Sequence, residues 1–300
     1  MSAMSKPLVS IIVATYERDK ELAKALKSIG EQTYRPLEVI VVDDNNDSER
    51  SKAVENCVHQ FAKSYPNISL KNIRNESNLG SALTRNVGIN VSSGEYICFL
   101  DDDDEYLPER VKNQVDAMIA QDADYSLTDL KLYSEDEKLI ETRHHSYISD
   151  GRNDSLLQLH LMHHLTGTDT MMFKHEYLLQ IGCFSPIDVG DEFYLMQKAI
   201  INGGKFLYLP ICDVKAYVHT GEGGLSSGRG KILGENALFE HKKKYFPQLD
   251  KKTVRYIKMR HYSVLAYAYL RQKKLIRFAF NGVKSFLSSP IECVKLFVGR

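Results

Sequence analysis

The first hundred residues alternate between short apolar runs and longer amphipathic stretches. Residues 8–14 and 37–42 are continuous apolar runs rich in β-branched residues, which is typical of strands buried on both faces. Residues 21–30 carry apolar side chains at the three- and four-residue spacing of a helix. We predict further helices at 48–64, 81–91 and 109–120, and further strands at 68–73 and 95–100. This order predicts a parallel sheet with helices on both faces.

The rest of the chain mixes shorter elements. Residues 125–133 and 138–142 predict two strands that pair as a hairpin. Residues 219–230 are rich in glycine and serine, which predicts a mobile loop. The other predicted elements are helices at 156–164, 175–181, 192–201, 232–245, 252–272 and 274–286, and strands at 168–173, 206–209 and 214–218.

Polar side chains follow the predicted parallel strands at the points where those strands end. Residues 15–18 follow the first strand, residues 43–45 follow the second, and four successive aspartates at 101–104 follow the fourth. Ligands of open α/β sheets bind at the carboxyl ends of the strands. The pattern therefore predicts one ligand cleft along one edge of the sheet.

The aspartates at 101–104 predict a cation site within that cleft. Adjacent carboxylates repel each other, so a protein that gathers them in a cleft usually binds a cation there. Hard oxygen ligands suit Mg²⁺ or Mn²⁺, which often carry a phosphate. The alternative is an acidic turn that caps the next helix, with Asp104 near the cap and Pro108 in the first turn. That alternative accounts for one or two of the four acids.

Composition narrows the class of protein. Three hundred residues, 43% of them hydrophobic, fit one large globular domain or a domain with an appendage. The five cysteines are scattered without a CxxC pair, so we expect free thiols in a reducing compartment. The first residues lead straight into a strand, and no apolar run approaches the roughly 18–20 residues that span a bilayer. We therefore expect a cytoplasmic protein, or one attached to the inner face of the cell membrane.

The net charge of zero conceals an asymmetry. Residues 251–300 contain twelve Lys or Arg and one acid, Glu292, so this tail carries about +11 and the rest of the chain about −11. The tail also carries many aromatic and apolar side chains, which suits an anionic membrane surface. The alternatives are helices that pack on the acidic body or form a homodimer contact. No nucleic-acid-binding module accompanies the charge, so we do not expect nucleic acid as a partner.

Five motifs in order within residues 9–108 resemble those of the family 2 glycosyltransferases with a GT-A fold, and the resemblance covers about residues 8–220. The motifs are VSIIVATY at 9–16, QTY at 32–34, VVDDN at 41–45, NLG at 78–80 with RNVG at 85–88, and GEYICFLDDDDEYLP at 94–108. The resemblance implies an α/β fold with a Rossmann-like, mostly parallel sheet flanked by helices. It implies a domain at 1–230, with a nucleotide-sugar half at about 1–105 and an acceptor half at about 106–230. A helical, basic C-terminal region at 231–300 follows.

The same resemblance implies roles for the residues at the strand ends. Asp44 would accept a hydrogen bond from the uracil of a UDP-sugar, and Asp103 would ligate Mn²⁺ or Mg²⁺, with Asp101 and His219 as further ligands. Turn chemistry is the alternative for the acids after the second strand, and a structural role is the alternative for His219. The implied nucleotide-sugar-binding residues are Thr15, Tyr16, Arg18, Asp43, Asp44, Arg85, Asp101 and Asp102.

An inverting transfer also needs a general base. The family places this acid in a Glu-Asp pair at the start of a helix that continues to a leucine, whereas here Asp191 and Glu192 stand in reversed order before Leu195. The spacing to Leu195 puts Glu192 at the base position. Asp191 is the alternative base, and a pair of acids that only favours the helix N-terminus is a third reading. Thr168 and Asp169 are expected on the acceptor side, or are turn polarity.

The implied function is the transfer of a sugar from a UDP-sugar to a hydroxyl group of a glycan or lipid-linked acceptor, in cell-surface polysaccharide or glycolipid synthesis. The reversed acid pair keeps an alternative open, a non-catalytic sugar-nucleotide-binding subunit. An NAD-dependent oxidoreductase would have a similar sheet. However, no GxGxxG motif follows the first strand, where Thr15-Tyr16-Glu17-Arg18 stands instead.

Overall fold

The computed structural model of the chain describes residues 6–148, 153–187, 189–218 and 228–298. The chain divides into two compact units. The first unit comprises Met1–Asn153 and Leu165–His219, and the second comprises Asp154–His164 and Thr220–Arg300. The second unit thus takes in a helix from the middle of the chain, which the predicted boundary at residue 230 does not anticipate. The domain bounds given by the sequence pattern stay a prediction.

The described residues form helices and strands in the alternating order that the apolar pattern predicts. In chain order they are β1 Val9–Thr15, α1 Asp19–Gly30, β2 Leu37–Asp43, α2 Ser48–Ser64, β3 Ser69–Arg74, α3 Ser81–Val91, β4 Tyr96–Phe99, β5 Glu105–Tyr106, α4 Arg110–Gln121, β6 Tyr125–Thr128, β7 Leu130–Ser134, β8 Leu139–Arg143, α5 Asn153–His163, a 3₁₀ helix Thr168–Thr170, β9 Met171–Lys174, α6 His175–Gln180, α7 Asp191–Ile201, β10 Phe206–Leu209, β11 Val214–Val218, α8 Gly228–Lys243, a 3₁₀ helix Phe246–Gln248, α9 Lys251–Arg271, α10 Leu275–Ser288 and α11 Pro290–Val298.

The first unit is built on a large, mostly parallel sheet. Among the described residues this sheet has seven strands in the order β10-β6-β9-β4-β1-β2-β3, and only β9 runs antiparallel to its neighbours. The register places Thr15 at the end of β1 beside Asp43 at the end of β2. A smaller sheet of β5, β11, β7 and β8 accompanies it. The predicted α/β class is confirmed, and the strand ends with their polar residues do meet at one edge.

Two predicted strands are wrong in part. The predicted strand at 125–133 is split at Asp129 into β6 and β7, which belong to different sheets. Asp129 is fully buried, and its carboxylate accepts hydrogen bonds from His145 N and Tyr208 Oη, so this residue leaves the strand ladder to form its own network. The predicted strand at 168–173 begins instead with the 3₁₀ helix Thr168–Thr170. The predicted hairpin is confirmed as the antiparallel pair β7 and β8.

Helix α3 lies unusually close to the central strand β1. A Cβ atom at Gly88 would lie 2.5 Å from Ile12 Cγ2, so only glycine permits this approach. The close packing fixes the position of α3, which carries Arg85 and Asn86 in its first half.

The second unit is helical among its described residues. Asp250 caps α9 by accepting hydrogen bonds from Lys252 N at 2.7 Å and Thr253 N at 2.9 Å, and Gln158 Nε2 of α5 donates to Thr253 Oγ1 at 2.7 Å. The helical C-terminal region is confirmed, and the structure adds α11, which the sequence pattern does not predict. Within the part of the chain that the structure describes, no helix is both long and apolar enough to cross a membrane.

Candidate active site

The turn between β1 and α1 holds the second aspartate of the acidic run. Thr15 Oγ1 donates to Asp102 Oδ2 at 2.8 Å, and Tyr16 N donates to the same oxygen at 3.3 Å. Arg18 Nη1 lies 3.1 Å from Asp102 Oδ1 and 2.6 Å from Asp103 Oδ2. Burial, together with the nearby charge of Asp103, raises the pKa of Asp102 to about 6. Asp102 is therefore enclosed by the turn.

The conformation of this turn depends on the end of β2. Glu17 adopts a left-handed conformation with φ of 61°, which is uncommon for a residue with a side chain. Its backbone N donates to Asn45 Oδ1 at 2.8 Å, and Asn45 Nδ2 donates to Asp43 Oδ1 at 2.7 Å. Asn45 thus ties the two strand ends together, a role that the sequence pattern does not reveal.

Asp44 holds the loop that precedes α3. Its Oδ1 accepts hydrogen bonds from Asn75 Nδ2 at 2.7 Å and Leu79 N at 2.9 Å. Its Oδ2 accepts from Gly80 N at 3.0 Å. Both carboxylate oxygens therefore already have partners within the protein, and the hydrogen bond from Asp44 to uracil stays a prediction.

The four aspartates after β4 alternate between buried and partly exposed. Asp102 and Asp104 are buried, whereas the side chains of Asp101 and Asp103 are 36% and 11% exposed. The accessible pair has the spacing Asp-x-Asp. These two carboxylates are the members of the run that a cation can reach, and oxygen is the ligand atom that Mg²⁺ and Mn²⁺ prefer.

Asp104 forms a buried pair of carboxyl groups with Asp169. The two side chains hydrogen-bond to each other, Asp169 Oδ1 also accepts from Asp101 N at 2.6 Å, and Asp104 Oδ1 accepts from Tyr217 N at 2.8 Å. Burial and the neighbouring acids raise the pKa of Asp169 to about 7 and that of Asp104 well above its usual range. Two carboxyl groups so placed favour the state in which one of them is protonated. Asp104 does not cap the helix that follows it. That helix, α4, begins after Glu109, and no side chain caps its N-terminus.

Arg110 fixes the backbone that presents Asp169. This residue is fully buried, and its Nη2 donates to the carbonyl oxygens of Asp169 at 2.6 Å and Met171 at 3.2 Å. Its guanidinium lies 4.2 Å from the centre of the Tyr106 ring. Asp169 and Asp104, together with Asp101, have carboxylate oxygens within 4.8 Å of one another. The buried guanidinium of Arg110 therefore lies beside the residue, Asp169, that belongs to this cluster of carboxylates.

One guanidinium joins these acids to the start of α7. Arg85 Nη2 lies 2.6 Å from Asp101 Oδ1, and Arg85 Nη1 lies 2.8 Å from Asp191 Oδ2. The next residue, Asn86, exchanges two hydrogen bonds of 2.9 Å with the backbone of Phe184. Arg85 is buried, which is uncommon for an arginine on a helix and reflects its two ion pairs. Helix α3 thus fastens the segment before α7 to the acids after β4.

The two acids that begin α7 have different surroundings. Asp191 is 5% exposed and paired with Arg85. Glu192 is partly exposed as a residue, but its carboxyl group is buried and hydrogen-bonds to Asp191. Burial, followed by the hydrogen bond to Asp191 and its charge, raises the pKa of Glu192 to about 8. An acid whose pKa lies near neutral pH is suited to general base catalysis.

Comparisons with known proteins agree with this architecture. The family model "Glycosyl transferase family 2" matches residues 10–179. An uncharacterized glycosyltransferase of Methanocaldococcus jannaschii is 30% identical over 207 residues, which is 68% of each chain. The chain belongs to glycosyl transferase family 2. It is therefore a glycosyltransferase by family, and the resemblance carried by the five motifs is confirmed.

Other relatives match over shorter stretches. The GalNAc(5)-diNAcBac-PP-undecaprenol beta-1,3-glucosyltransferase of Campylobacter jejuni is 37% identical over 102 residues, which cover 34% of this chain and 31% of that protein. Two solved structures share the fold. S. aureus TarS 1-349 in complex with UDP-GlcNAc has a TM-score of 0.61 at 17% identity, covering 93% of this chain and 91% of that one. Mannosyltransferase PcManGT from Pyrobaculum calidifontis, in complex with GDP-Man and Mn²⁺, has a TM-score of 0.62 at 17% identity, covering 99% and 80%.

The structure brings most of the predicted family 2 site residues into two linked groups. Thr15, Tyr16 and Arg18 surround Asp102 and Asp103, and Arg85 joins Asp101 to Asp191. Thr168 and Asp169 are both buried, and Asp169 faces the acids after β4. Their contact with an acceptor stays a prediction. His219 lies outside the described residues.

The sequence analysis assigns no individual role to three supporting residues, namely Asn45, Asn75 and Arg110. Asn45 and Asn75 each stand next to a strand end, as do the acids that they support, so their position is a usable signal. Arg110 resembles any basic residue at the start of a helix, and only its burial distinguishes it.

Proposed function

We propose that this family 2 glycosyltransferase transfers a sugar from a UDP-sugar to a hydroxyl group of a glycan or lipid-linked acceptor, with inversion at the anomeric carbon. The observation that carries the proposal is the double ion pair of Arg85 with Asp101 and Asp191. Through these ion pairs, the candidate cation site and the two acids that are candidates for the general base belong to one charge network. A single-displacement transfer needs both functions at one reacting centre.

The donor side of the proposal rests on the acidic run. Asp103 and Asp101 would hold Mn²⁺ or Mg²⁺ in a DXD motif, because they are the accessible members of the run and offer only oxygen atoms. His219 is the third ligand of this proposal. Such a cation, when bound, offsets the negative charge of the departing diphosphate. The Mn²⁺ in the PcManGT complex supports the choice of metal, and the UDP-GlcNAc in the TarS complex supports the choice of nucleotide.

The acceptor side of the proposal rests on the different surroundings of the two acids that begin α7. The acceptor oxygen attacks the anomeric carbon while the bond from that carbon to the phosphate oxygen of UDP breaks. The acceptor proton passes to the ionised carboxylate of Glu192, and UDP leaves. Asp191 remains paired with Arg85, so it acts as a positioning residue for Glu192. An α-linked donor then gives a β-linked product.

The proposal includes a cellular setting. The Campylobacter jejuni relative is named for an undecaprenol-linked glycan, which supports a lipid-linked acceptor and a role in cell-surface polysaccharide or glycolipid synthesis. The basic tail at 251–300 supports attachment to the inner, cytoplasmic face of the membrane, where anionic lipids offset its charge.

A panel of nucleotide sugars tests the donor assignment. Purified protein is incubated with UDP-, GDP-, dTDP- and CMP-sugars and Mn²⁺, and both thermal stabilisation and release of nucleoside diphosphate are measured. We expect a response to at least one UDP-sugar. A response confined to GDP-sugars would overturn the UDP assignment and leave the family assignment intact.

The substitution Glu192→Gln tests the base and separates an enzyme from a non-catalytic binding subunit. Glutamine keeps the size of the side chain and an N–H donor for Asp191 but cannot take a proton. We expect turnover to fall by about 10²–10⁴-fold with nucleotide-sugar binding retained. Unchanged turnover would exclude Glu192 as the base. A wild-type protein that binds UDP-sugars but transfers sugar to no hydroxyl or water would favour the binding subunit.

A further inference from the structure

Helix α10 of the second unit turns its apolar face outward. Its two buried residues are small and polar: Ser285 Oγ donates to Met259 O of α9 at 2.9 Å, and the other is Asn281. The large apolar side chains are exposed instead, with Ile276 at 87% and Leu287 at 69%. At about 100° per residue the exposed apolar positions cover an arc of roughly 140°. The exposed apolar residues of α10 are Leu275, Ile276, Phe280, Val283, Phe286 and Leu287.

The next helix extends this apolar character, and cations border it. In α11, Ile291 and Val294 are exposed while Cys293 between them is buried. Lys284 Nζ lies 4.3 Å from the centre of the Phe280 ring, and the Arg277 guanidinium lies 5.5 Å from the centre of the Tyr269 ring. A helix with an exposed apolar stripe and cations along its edge has the form of an element that lies in a membrane interface.

We infer that α10 is the membrane-docking element of this chain, with its apolar stripe in the headgroup region of an anionic bilayer and Arg277 and Lys284 on lipid phosphates. This deepens the membrane attachment of the proposed function by naming the helix and the residues. The charge of the tail favours a bilayer over a two-fold contact with a second copy of the chain. A two-fold contact through this face would bring two tails of about +11 together, whereas anionic lipid offsets the same charge.

The absence of tryptophan from the sequence permits a direct test on the full-length protein. Phe280→Trp places a single indole on the stripe, and Ile140→Trp places one at an exposed apolar position on β8 as a matched control. Vesicles of phosphatidylcholine with phosphatidylglycerol are then added. We expect a blue shift and quenching by brominated lipid for Phe280→Trp only. Equal shifts at both positions, or a shift at neither, would overturn the assignment of α10.

A second set of variants measures the contributions to binding by vesicle flotation. We expect the triple variant Ile276→Ser, Phe280→Ser, Leu287→Ser to lower partition into anionic vesicles by more than about tenfold. Arg277→Gln and Lys284→Gln should each lower it by about fivefold, with little effect on weak binding to pure phosphatidylcholine. The matched control Leu139→Ser, Ile140→Ser changes exposed apolar residues of β8 and should bind as the wild type does.

Two readouts separate this inference from its rivals. The triple variant should keep release of nucleoside diphosphate with a water-soluble acceptor, so loss of vesicle binding and failure of the proposed reaction are distinguishable. Sedimentation velocity of the wild type and the triple variant reports self-association. A wild-type dimer that becomes a monomer in the triple variant, without vesicle binding by the wild type, would assign the stripe to a second copy and overturn the inference.

Discussion

The protonation of Glu192, the proposed base, depends first on burial and then on the hydrogen bond to Asp191 and its charge. Because the pKa of Glu192 is raised to about 8, most molecules hold a proton on this carboxyl group at neutral pH. We expect kcat/KM for the acceptor to rise about tenfold per pH unit below pH 8 and to level off above it, since only the ionised form accepts a proton. Initial rates at saturating donor test this expectation, and a profile that is flat between pH 6 and 8 would contradict it.

The same pKa has a consequence for stability that serves as a control. Between the ordinary pKa of 4.5 and the raised value of about 8, the folded chain holds a proton that the unfolded chain has released. The contribution of Glu192 to the free energy of unfolding therefore falls as pH rises through this window. Glu192→Gln cannot titrate, so its unfolding should depend less on pH over the same window than that of the wild type.

We predict that the proposed site requires the geometry of Arg85 and not its charge alone. Its two nitrogen atoms reach two carboxylates that are far apart in sequence, and a lysine ammonium is a single point charge without that fork. We expect Arg85→Lys to lower kcat by about 10²-fold through displacement of Glu192, while Arg85→Ala also costs about 3–5 kcal/mol in stability by leaving buried acids unpaired.

Steady-state kinetics and urea denaturation measure these effects. Arg143→Lys is the matched control, because Arg143 is exposed on β8 and pairs with Glu141 at 3.7 Å. That surface pair contributes little to stability. An Arg85→Lys enzyme with wild-type kcat would show that Arg85 supplies charge only.

The sequence predicts some residues of the candidate site but not the residues that they contact. The acids at the strand ends are identifiable, because their carboxylates follow apolar runs and would repel each other without a cation. Their partners are not identifiable, because Asp44 reaches Leu79 and Gly80 across more than thirty residues of chain. The raised pKa values of Asp104 and Asp169 are equally hidden, since they depend on burial of both groups.

At the level of elements, most helices and strands follow from apolar periodicity, and the exceptions have local causes. The strand predicted at 125–133 fails at Asp129, where a buried polar network replaces strand pairing. The smaller sheet with its parallel pair β7 and β11 could not be predicted either, because its strands come from distant parts of the chain. The local pattern of apolar residues predicts each helix or strand. Which strands pair with one another depends on contacts between residues far apart in the sequence.

The packing of α3 on β1 gives a prediction at this scale. Gly88→Ala adds a methyl group 2.5 Å from Ile12 Cγ2, so α3 must move and we expect a loss of about 1–3 kcal/mol in the free energy of unfolding. Gly282→Ala is the matched control, because a Cβ at Gly282 of α10 meets nothing within 4 Å. That substitution should stabilise the protein by about 0.5–1 kcal/mol, since alanine favours the helix.

Urea denaturation followed by circular dichroism compares the two glycine variants. Both variants add the same methyl group within a helix. A lower free energy of unfolding for Gly88→Ala and a higher one for Gly282→Ala would therefore be due to the contact with Ile12. Because α3 also carries Arg85, the Gly88→Ala enzyme should lose activity as well as stability. Equal stability changes for both variants would show that α3 is not held by this contact.

At the level of the whole molecule, the charges at the sheet edge link folding to ligand binding. Arg18 and Arg85 already offset Asp103 and Asp101, so the folded chain tolerates these acids before any ligand binds. A ligand that binds only the folded chain stabilises it in proportion to the logarithm of its concentration, by about 2.7 kcal/mol at one hundred times Kd.

We expect Mn²⁺ and UDP together to raise the thermal midpoint by more than the sum of their separate effects. On the proposed assignment Mn²⁺ alone would have to compete with Arg18 for Asp103, and the diphosphate would give Arg18 a second anionic partner. Asp103→Asn should lose the Mn²⁺-dependent part of the shift while keeping some response to UDP, and EDTA should do the same to the wild type. Asp136→Asn, which removes an exposed acid paired with Lys138, is the matched control and should respond as the wild type does. A full Mn²⁺-dependent shift in Asp103→Asn would place the cation elsewhere.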